Sequence, residues 1–249
     1  MTRLAFADDV SAGYGPETVL SAVSFALHAG ERIAVLGPNG GGKTTLFRVL
    51  TGELAPRGGT LERPPRSAVV PQTERSRLDF PVSALDVAAM GSISRLPWWR
   101  RPGRRERGTA RAALDQVGLA ERARDSFGDL SGGQRQRVLV ARALVQDAAV
   151  MLLDEPFGGL DEASAQRLNS LLDRLAAEGR GLMIATHDVE QAQRWDRVLC
   201  VNGRQVAFGE PAEQLTPDVL EATYGAEVVM LPGDGGRGIL SAHHHDDPG

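Results

Sequence analysis

The 249-residue chain has a single cysteine, Cys200, and a single lysine, Lys43, among its 28 basic residues. One cysteine excludes a disulfide framework and fits a reduced compartment. No apolar run approaches the ~20 residues that a membrane-spanning helix needs, and the strongest stretches, such as Ala148 to Leu153, are far shorter. Met1-Thr2-Arg3-Leu4 leads into alternating and acidic residues instead of the apolar core of a signal peptide, so a cytoplasmic chain that does not cross a bilayer by itself is expected. The net charge of −4 excludes a broad basic surface; no nucleic-acid partner is expected, and any such contact has to be local.

What is present is globular. Hydrophobic residues at 42% and charged residues at 24% argue against a disordered or fibrous chain. The length fits one large domain with a lobe. Because every other basic residue is arginine, Lys43 marks a position where a compact ammonium is needed and a planar guanidinium does not serve.

The first thirty residues alternate, with Val19, Val23, Phe25 and Leu27 apolar before a turn at Ala29-Gly30, as antiparallel strands do. Ile33 to Leu36, Val150 to Leu153 and Leu182 to Ala185 are short apolar runs of the kind buried on both faces of a sheet. Helical stretches separate them, which predicts an α/β fold with a mostly parallel core. Between Gln72 and Leu130 no strand is evident; helix-like stretches at Ser83 to Met90 and Thr109 to Val117, with Pro81, Pro97 and Pro102, predict a helical lobe inserted in the core. From about Gly225 the chain is rich in Gly, His and Asp, and a loose tail over 226–249 is expected.

Gly37-Pro38-Asn39-Gly40-Gly41-Gly42-Lys43-Thr44 follows a buried run and precedes helix-like residues from Thr45. It fits the G-x-x-x-x-G-K-[ST] phosphate loop in the context that this motif requires. Glycines let backbone N–H groups turn onto phosphate oxygens, and the helix start adds its positive end. Lys43 is placed to reach the β- and γ-phosphates, and the Thr44 hydroxyl to ligate Mg²⁺. A bare glycine-rich turn would not need its lysine at that position.

Two carboxylates, Asp154 and Glu155, end another buried run, where open α/β sheets bind ligands. Asp154 suits Mg²⁺, directly or through water, and Glu155 suits a general base for an attacking water; solvated acids at a strand end are the plain alternative. His187 ends a third run, where it is either structural or a donor to a γ-phosphate. In Leu130-Ser131-Gly132-Gly133-Gln134, Ser131 is a good helix N-cap, and a simple capped helix would account for it.

Together these motifs resemble the nucleotide-binding subunit of an ATP-binding cassette (ABC) transporter, in family order up to about Gly225. The resemblance implies a P-loop NTPase fold over residues 1–225: a RecA-like core, an N-terminal antiparallel β subdomain and a helical subdomain at about 73–145. It implies ATP and Mg²⁺ as ligands, with Tyr14 on the adenine, Gly37 to Thr45 on the phosphates, and Gln72 sensing Mg²⁺ and the membrane subunit. It places Ser131, Gly132, Gly133 and Gln134 in the cassette signature, Asp161 in the loop that crosses the dimer, and His187 at the switch histidine. Gly159 stands where alanine is often found. The family consequence is a head-to-tail homodimer sandwiching two ATP molecules, peripheral to the cytoplasmic face of the membrane and bound to integral permease subunits.

Val70-Pro71-Gln72, Asp79 to Val87 with Phe80, Met90-Gly91, Leu215-Thr216, Leu220 and Tyr224-Gly225 resemble the ATPases of zinc and manganese importers, with iron left open. Such importers also use an extracytoplasmic metal-binding protein, an indirect partner. A soluble cassette ATPase, as in iron–sulfur assembly, is the alternative. Seven arginines from Arg95 to Arg111 surround Trp98 and Trp99; anionic headgroups, a partner subunit, a nucleic acid or a solvated loop are all open readings. His243, His244 and His245 with Asp246 and Asp247 either bind a divalent ion or lie unstructured.

Overall fold

The computed structural model describes residues 2–71 and 82–225. Gln72, the Asp79 to Pro81 stretch and the histidine-bearing tail lie outside the described residues.

β1 (Arg3–Tyr14) and β2 (Glu17–His28) are long strands whose buried positions alternate but change parity midway. Ala5 and Ala7 face inward, then Val10 and Ala12; Leu20 faces inward, then Val23, Phe25 and Leu27. The parity changes at Asp9 and Ala22, both with left-handed backbone (φ 51° and 52°). An extra residue there keeps the apolar set on the core side. Each displaced amide is satisfied by the facing strand: Asp9 N–H donates to Ser24 Oγ at 2.8 Å and Ala22 N–H to Ser11 Oγ at 3.2 Å.

The chain continues as β3 (Arg32–Leu36), α1 (Lys43–Thr51), β4 (Gly58–Glu62), β5 (Ser67–Val70), α2 (Ala84–Ala89), α3 (Arg104–Gln116) and α4 (Gly132–Gln146). Then come β6 (Val150–Asp154), α5 (Glu162–Ala177), β7 (Gly181–Thr186), α6 (Val189–Ala192), β8 (Arg197–Val201), β9 (Gln205–Gly209), α7 (Pro211–Gln214) and α8 (Pro217–Tyr224). The strand orders are β2-β1-β4 and β5-β6-β7-β3-β8-β9. β5 with β6 and β3 with β8 are parallel, whereas β8 with β9 and β1 with β4 are antiparallel. This is the α/β class that the sequence predicts. β6 and β7 are buried at every position, which is why their sequences are apolar runs without alternation.

Contacts divide the chain into two compact units. One takes in His28–Glu31 and the described part of Pro64–Ile184. In it α2, α3 and α4 pack together through Ala84, Val87, Ala88, Ala110, Leu114, Val138 and Ala141, all buried. Ser83 and Asp86 close a capping box on α2, and Arg107 bridges to Asp86 at 2.8 Å. α3 begins at Arg104, earlier than its apolar pattern indicates, because the Glu106 carboxylate accepts from Gly103 N–H at 2.8 Å. The other unit holds Ala5–Leu27, Arg32–Arg63 and the described part of Ala185–Gly249. Its Cys200 thiol is buried in β8, and burial pushes its pKa up to about 11, so it is an unreactive core side chain. Among the described residues no helix is long and apolar enough to cross a membrane.

Candidate functional site

The second unit carries the glycine-rich loop. β3 ends at Leu36 and α1 starts at Lys43, so Gly37 to Gly42 form the whole connection. A Cβ on Gly37 would stand 2.1 Å from the Val201 carbonyl oxygen, and one on Gly42 (φ 102°) 2.8 Å from Leu20 Cδ1. Only glycine fits either place. Gly41 N–H donates to Pro38 O at 3.0 Å, Gly203 N–H to Gly41 O at 3.1 Å and Ser21 N–H to Gly203 O at 2.9 Å. The β8–β9 turn and β2 therefore hold the loop from behind, while Asn39 and Gly40 are exposed at its tip.

Lys43 is only 8% exposed. Its ammonium donates to Gly37 O at 2.5 Å and Pro38 O at 3.0 Å, folding back over the loop. The start of α1 has Gly42 at its cap, no side-chain cap and no acid in the first turn. Every other α-helix among the described residues has one or the other: Ser83, Ser131, Asp161, Asp188 and Thr216 cap α2, α4, α5, α6 and α8, and α3 and α7 carry Glu106 and Glu213. The start of α1 thus has neither a cap nor an acid of its own and has a buried ammonium beside it, which is the chemistry of a phosphate site.

Tyr14 closes β1 and is 41% exposed. Arg48, on α1, donates to the Tyr14 hydroxyl at 3.0 Å and lies 5.7 Å from the ring centroid. Sequence reasoning missed Arg48, since only the fold brings α1 to the end of β1. His187 is exposed just beyond β7. Its turn is pinned by Asp188 N–H donating to Thr186 Oγ1 at 3.1 Å and by the Asp188 carboxylate accepting from Gln191 N–H at 3.0 Å.

The first unit carries the Leu130 to Gln134 stretch and the acidic strand end. Asp154 is the buried last residue of β6. Glu155 follows with φ 48°, a conformation that costs an ordinary side chain about 1–2 kcal/mol and that strand ends at functional sites retain. Its carbonyl accepts from Gly158 N–H at 3.2 Å. Asp161 caps α5, accepting from Ser164 N–H at 2.7 Å. That bond, then the Ser164 hydroxyl and the charges of Arg137 and Arg167, hold the carboxyl below its ordinary range.

Ser131 caps α4 by accepting from Gln134 N–H at 3.3 Å, and Gln134 Oε1 accepts from Ser131 N–H at 2.9 Å. Ser131 and Gln134 thus fix each other in a capping box. Arg135, also missed in the sequence, donates to Leu130 O at 2.9 Å and ties down the approach to the helix. Gly132 has open space around it, while a Cβ on Gly133 would lie 2.9 Å from Gly159 O. Gly159 has φ +70°, which explains glycine in place of alanine there.

Each unit offers a hard oxygen donor of the kind Mg²⁺ takes: the Thr44 hydroxyl at the start of α1 in the second unit, and the Asp154 carboxylate at the end of β6 in the first. Among the described residues no group of three or more His, Cys, Asp or Glu side chains forms a metal cage. Either donor suits Mg²⁺ as phosphate sites hold it, with one or two protein ligands and the rest from phosphate and water.

Comparison with known proteins adds to this geometry. The family model described as ABC transporter matches residues 20–158. The zinc transport system ATP-binding protein TroB of Treponema pallidum (strain Nichols) is 39% identical, over 96% of this chain and 94% of its own length. The manganese transport system ATP-binding protein MntB of Bacillus subtilis (strain 168) is 35% identical, over 90% of this chain and 93% of its own. Among solved structures, an inward-facing conformation of a metal-chelate type ABC transporter superposes with a TM-score of 0.81 at 32% identity, covering 89% of each chain.

Proposed function

The chain belongs to the ABC transporter family, and on that premise we propose that it is the ATP-hydrolysing subunit of an importer for a divalent transition metal, zinc or manganese. ATPases of this family convert ATP and water to ADP and phosphate and couple that reaction to transport. The observation that carries the ATP site is the glycine-enforced loop with Lys43 buried against it, at the start of a helix that no side chain caps. The metal reading rests on the names of the relatives.

In this account the phosphates lie on the loop amides and the first turn of α1. Lys43 exchanges the carbonyls of Gly37 and Pro38 for β- and γ-phosphate oxygens. The ring of Tyr14, steadied by Arg48, takes the adenine. Thr44, Asp154 and Gln72 are the residues that would hold Mg²⁺, which when bound would neutralise phosphate charge. Glu155 accepts the proton of the attacking water, and His187 contacts the γ-phosphate and orients that water. Ser131, Gly132, Gly133 and Gln134 present the start of α4 to the ATP of a second subunit, with Asp161 in the crossing loop. The dimer is head-to-tail; ATP binding closes it and hydrolysis reopens it. The subunit sits at the cytoplasmic face of the membrane and drives permease subunits, and the ion is selected by them and by an extracytoplasmic binding protein, because zinc or manganese selection needs a built coordination sphere.

Purification of the tagged chain from cell membranes tests this placement. Co-purification of an integral membrane subunit is expected. Recovery only in the soluble fraction, with iron–sulfur assembly proteins, would replace the importer by a soluble cassette ATPase.

A further inference from the structure

Residues 96–103 connect the 3-10 helix Met90–Arg95 to α3. Arg100 N–H donates to Pro97 O at 2.8 Å, which closes a β-turn with Trp98 and Trp99 at its two central positions. Those positions ordinarily take Gly, Asn, Asp, Ser or Pro. Here they hold two of the three tryptophans of the chain, 92% and 71% exposed, with ring centroids 5.7 Å apart and planes at 89°. Neither indole serves the core of the lobe. Met90 and Ile93, on the preceding helix, are exposed as well.

The charge around this turn exceeds what folding uses, even though Arg100 and Arg105 help to hold the Glu106 carboxyl below its ordinary range, after its backbone hydrogen bonds. Between Met90 and Arg111 there are seven arginines and one acid, Glu106, in a chain of net charge −4. Two of the seven have evident structural work: Arg95 donates to Val145 O and Arg107 pairs with Asp86. Arg100, Arg101, Arg104 and Arg105 are exposed. Arg104 and Arg105 open the first turn of α3, where the helix dipole disfavours cations. Protruding indoles followed along the chain by four exposed arginines, two of them placed against a helix dipole, are complementary to an apolar layer beneath a sheet of negative charge.

We propose that the Pro97–Arg100 turn is a bilayer-contact element: Trp98 and Trp99 seat in the interfacial layer of a membrane containing anionic phospholipid, and Arg100, Arg101, Arg104 and Arg105 meet its headgroup phosphates. The edge-to-face rings leave no parallel slot for a stacked base, which disfavours single-stranded nucleic acid. The convex turn suits a deformable layer. This element stands whether or not the cargo is a metal, and it adds a direct lipid contact to whatever the permease provides.

The test uses the full chain with phosphatidylcholine vesicles, with and without phosphatidylglycerol. Trp195 is 7% exposed, so changes in tryptophan emission report Trp98 and Trp99. Binding with a blue shift and quenching by bromine-labelled acyl chains is expected only with phosphatidylglycerol, and it should weaken with salt. R100Q and R101Q should each lower the partition coefficient about five-fold, from about 1 kcal/mol per charge near the surface. W98S/W99S should lower it about ten-fold or more and abolish the quenching, while ATP hydrolysis and the melting temperature stay unchanged. Absence of vesicle binding, or equal binding by the double tryptophan variant, would overturn the proposal. A blue shift produced only by detergent-solubilised permease or by an oligonucleotide would overturn it too, and would assign the turn to that partner.

Discussion

Gly133, in the first turn of α4, lies so close to Gly159 that a Cβ added to it would stand 2.9 Å from the Gly159 carbonyl oxygen and 3.0 Å from Leu160 Cδ2. The start of α4 and the loop leading to Asp161 are therefore packed closely together. Gly132, one residue earlier, faces open space. G133A should lose stability by about 1–3 kcal/mol through overpacking and lose ATP hydrolysis with it. G132A should keep or slightly raise the melting temperature, since alanine is the better helix former, yet lose hydrolysis because the space is kept for a ligand. Calorimetry and phosphate release on both variants check the pair; a G133A protein as stable as G132A would contradict the contact.

Glu155 holds a left-handed backbone at the end of β6, so its place is maintained against a local cost. E155Q should bind ATP and accumulate as a closed dimer with most hydrolysis gone, because the amide keeps the shape and loses the base. E155G should be equally inactive but should melt no lower than wild type, with a gain of up to about 1 kcal/mol as strain is relieved. Size-exclusion chromatography with ATP and Mg²⁺ reads the first outcome and thermal melting the second. Unchanged turnover in E155Q would remove the residue from its role.

Arg48 meets Tyr14 at both the hydroxyl and the ring. R48A should weaken ATP binding by a few-fold, consistent with an exposed cation–π contact of about 0.5–1 kcal/mol. Y14A should weaken it more, and adding R48A to Y14A should cost little further. Isothermal titration of the four proteins decides this; fully additive losses would mean that Arg48 acts on the nucleotide independently of Tyr14.

Much of the candidate site is legible in the sequence where it is built from consecutive residues. Gly37 to Thr44 needs one loop and one helix start, both local, and composition alone singles out the lone Lys43. β6 and β7 announce themselves as apolar runs because they are buried on both faces. β4 and β9 do not, since most of their positions are exposed or half-buried. The contact of Arg48 with Tyr14 depends on a chain separation of 34 residues, and the positive φ of Glu155 falls on a residue type that gives no warning of it. The early start of α3 is hidden by arginines on a helix whose stability comes from Glu106 and from packing.

S131A should bind ATP at its own loop and hydrolyse it poorly, and K43A should fail to bind. Mixed together they form heterodimers in which one site carries both lesions and the other neither. Recovery of part of the wild-type turnover on mixing is expected if one intact site can turn over. No recovery, with heterodimers proven by differential tagging, would contradict a site shared between subunits.

The most direct measurement is metal uptake by proteoliposomes containing this subunit and its permease, supplied with the extracytoplasmic binding protein on the outside and ATP with Mg²⁺ on the side of the ATPase. ATP-dependent accumulation of zinc or manganese is predicted, abolished by E155Q and unaffected by deletion of residues 241–249. ATP-driven movement of an organic solute, with none of zinc, manganese or iron transported, would contradict the account.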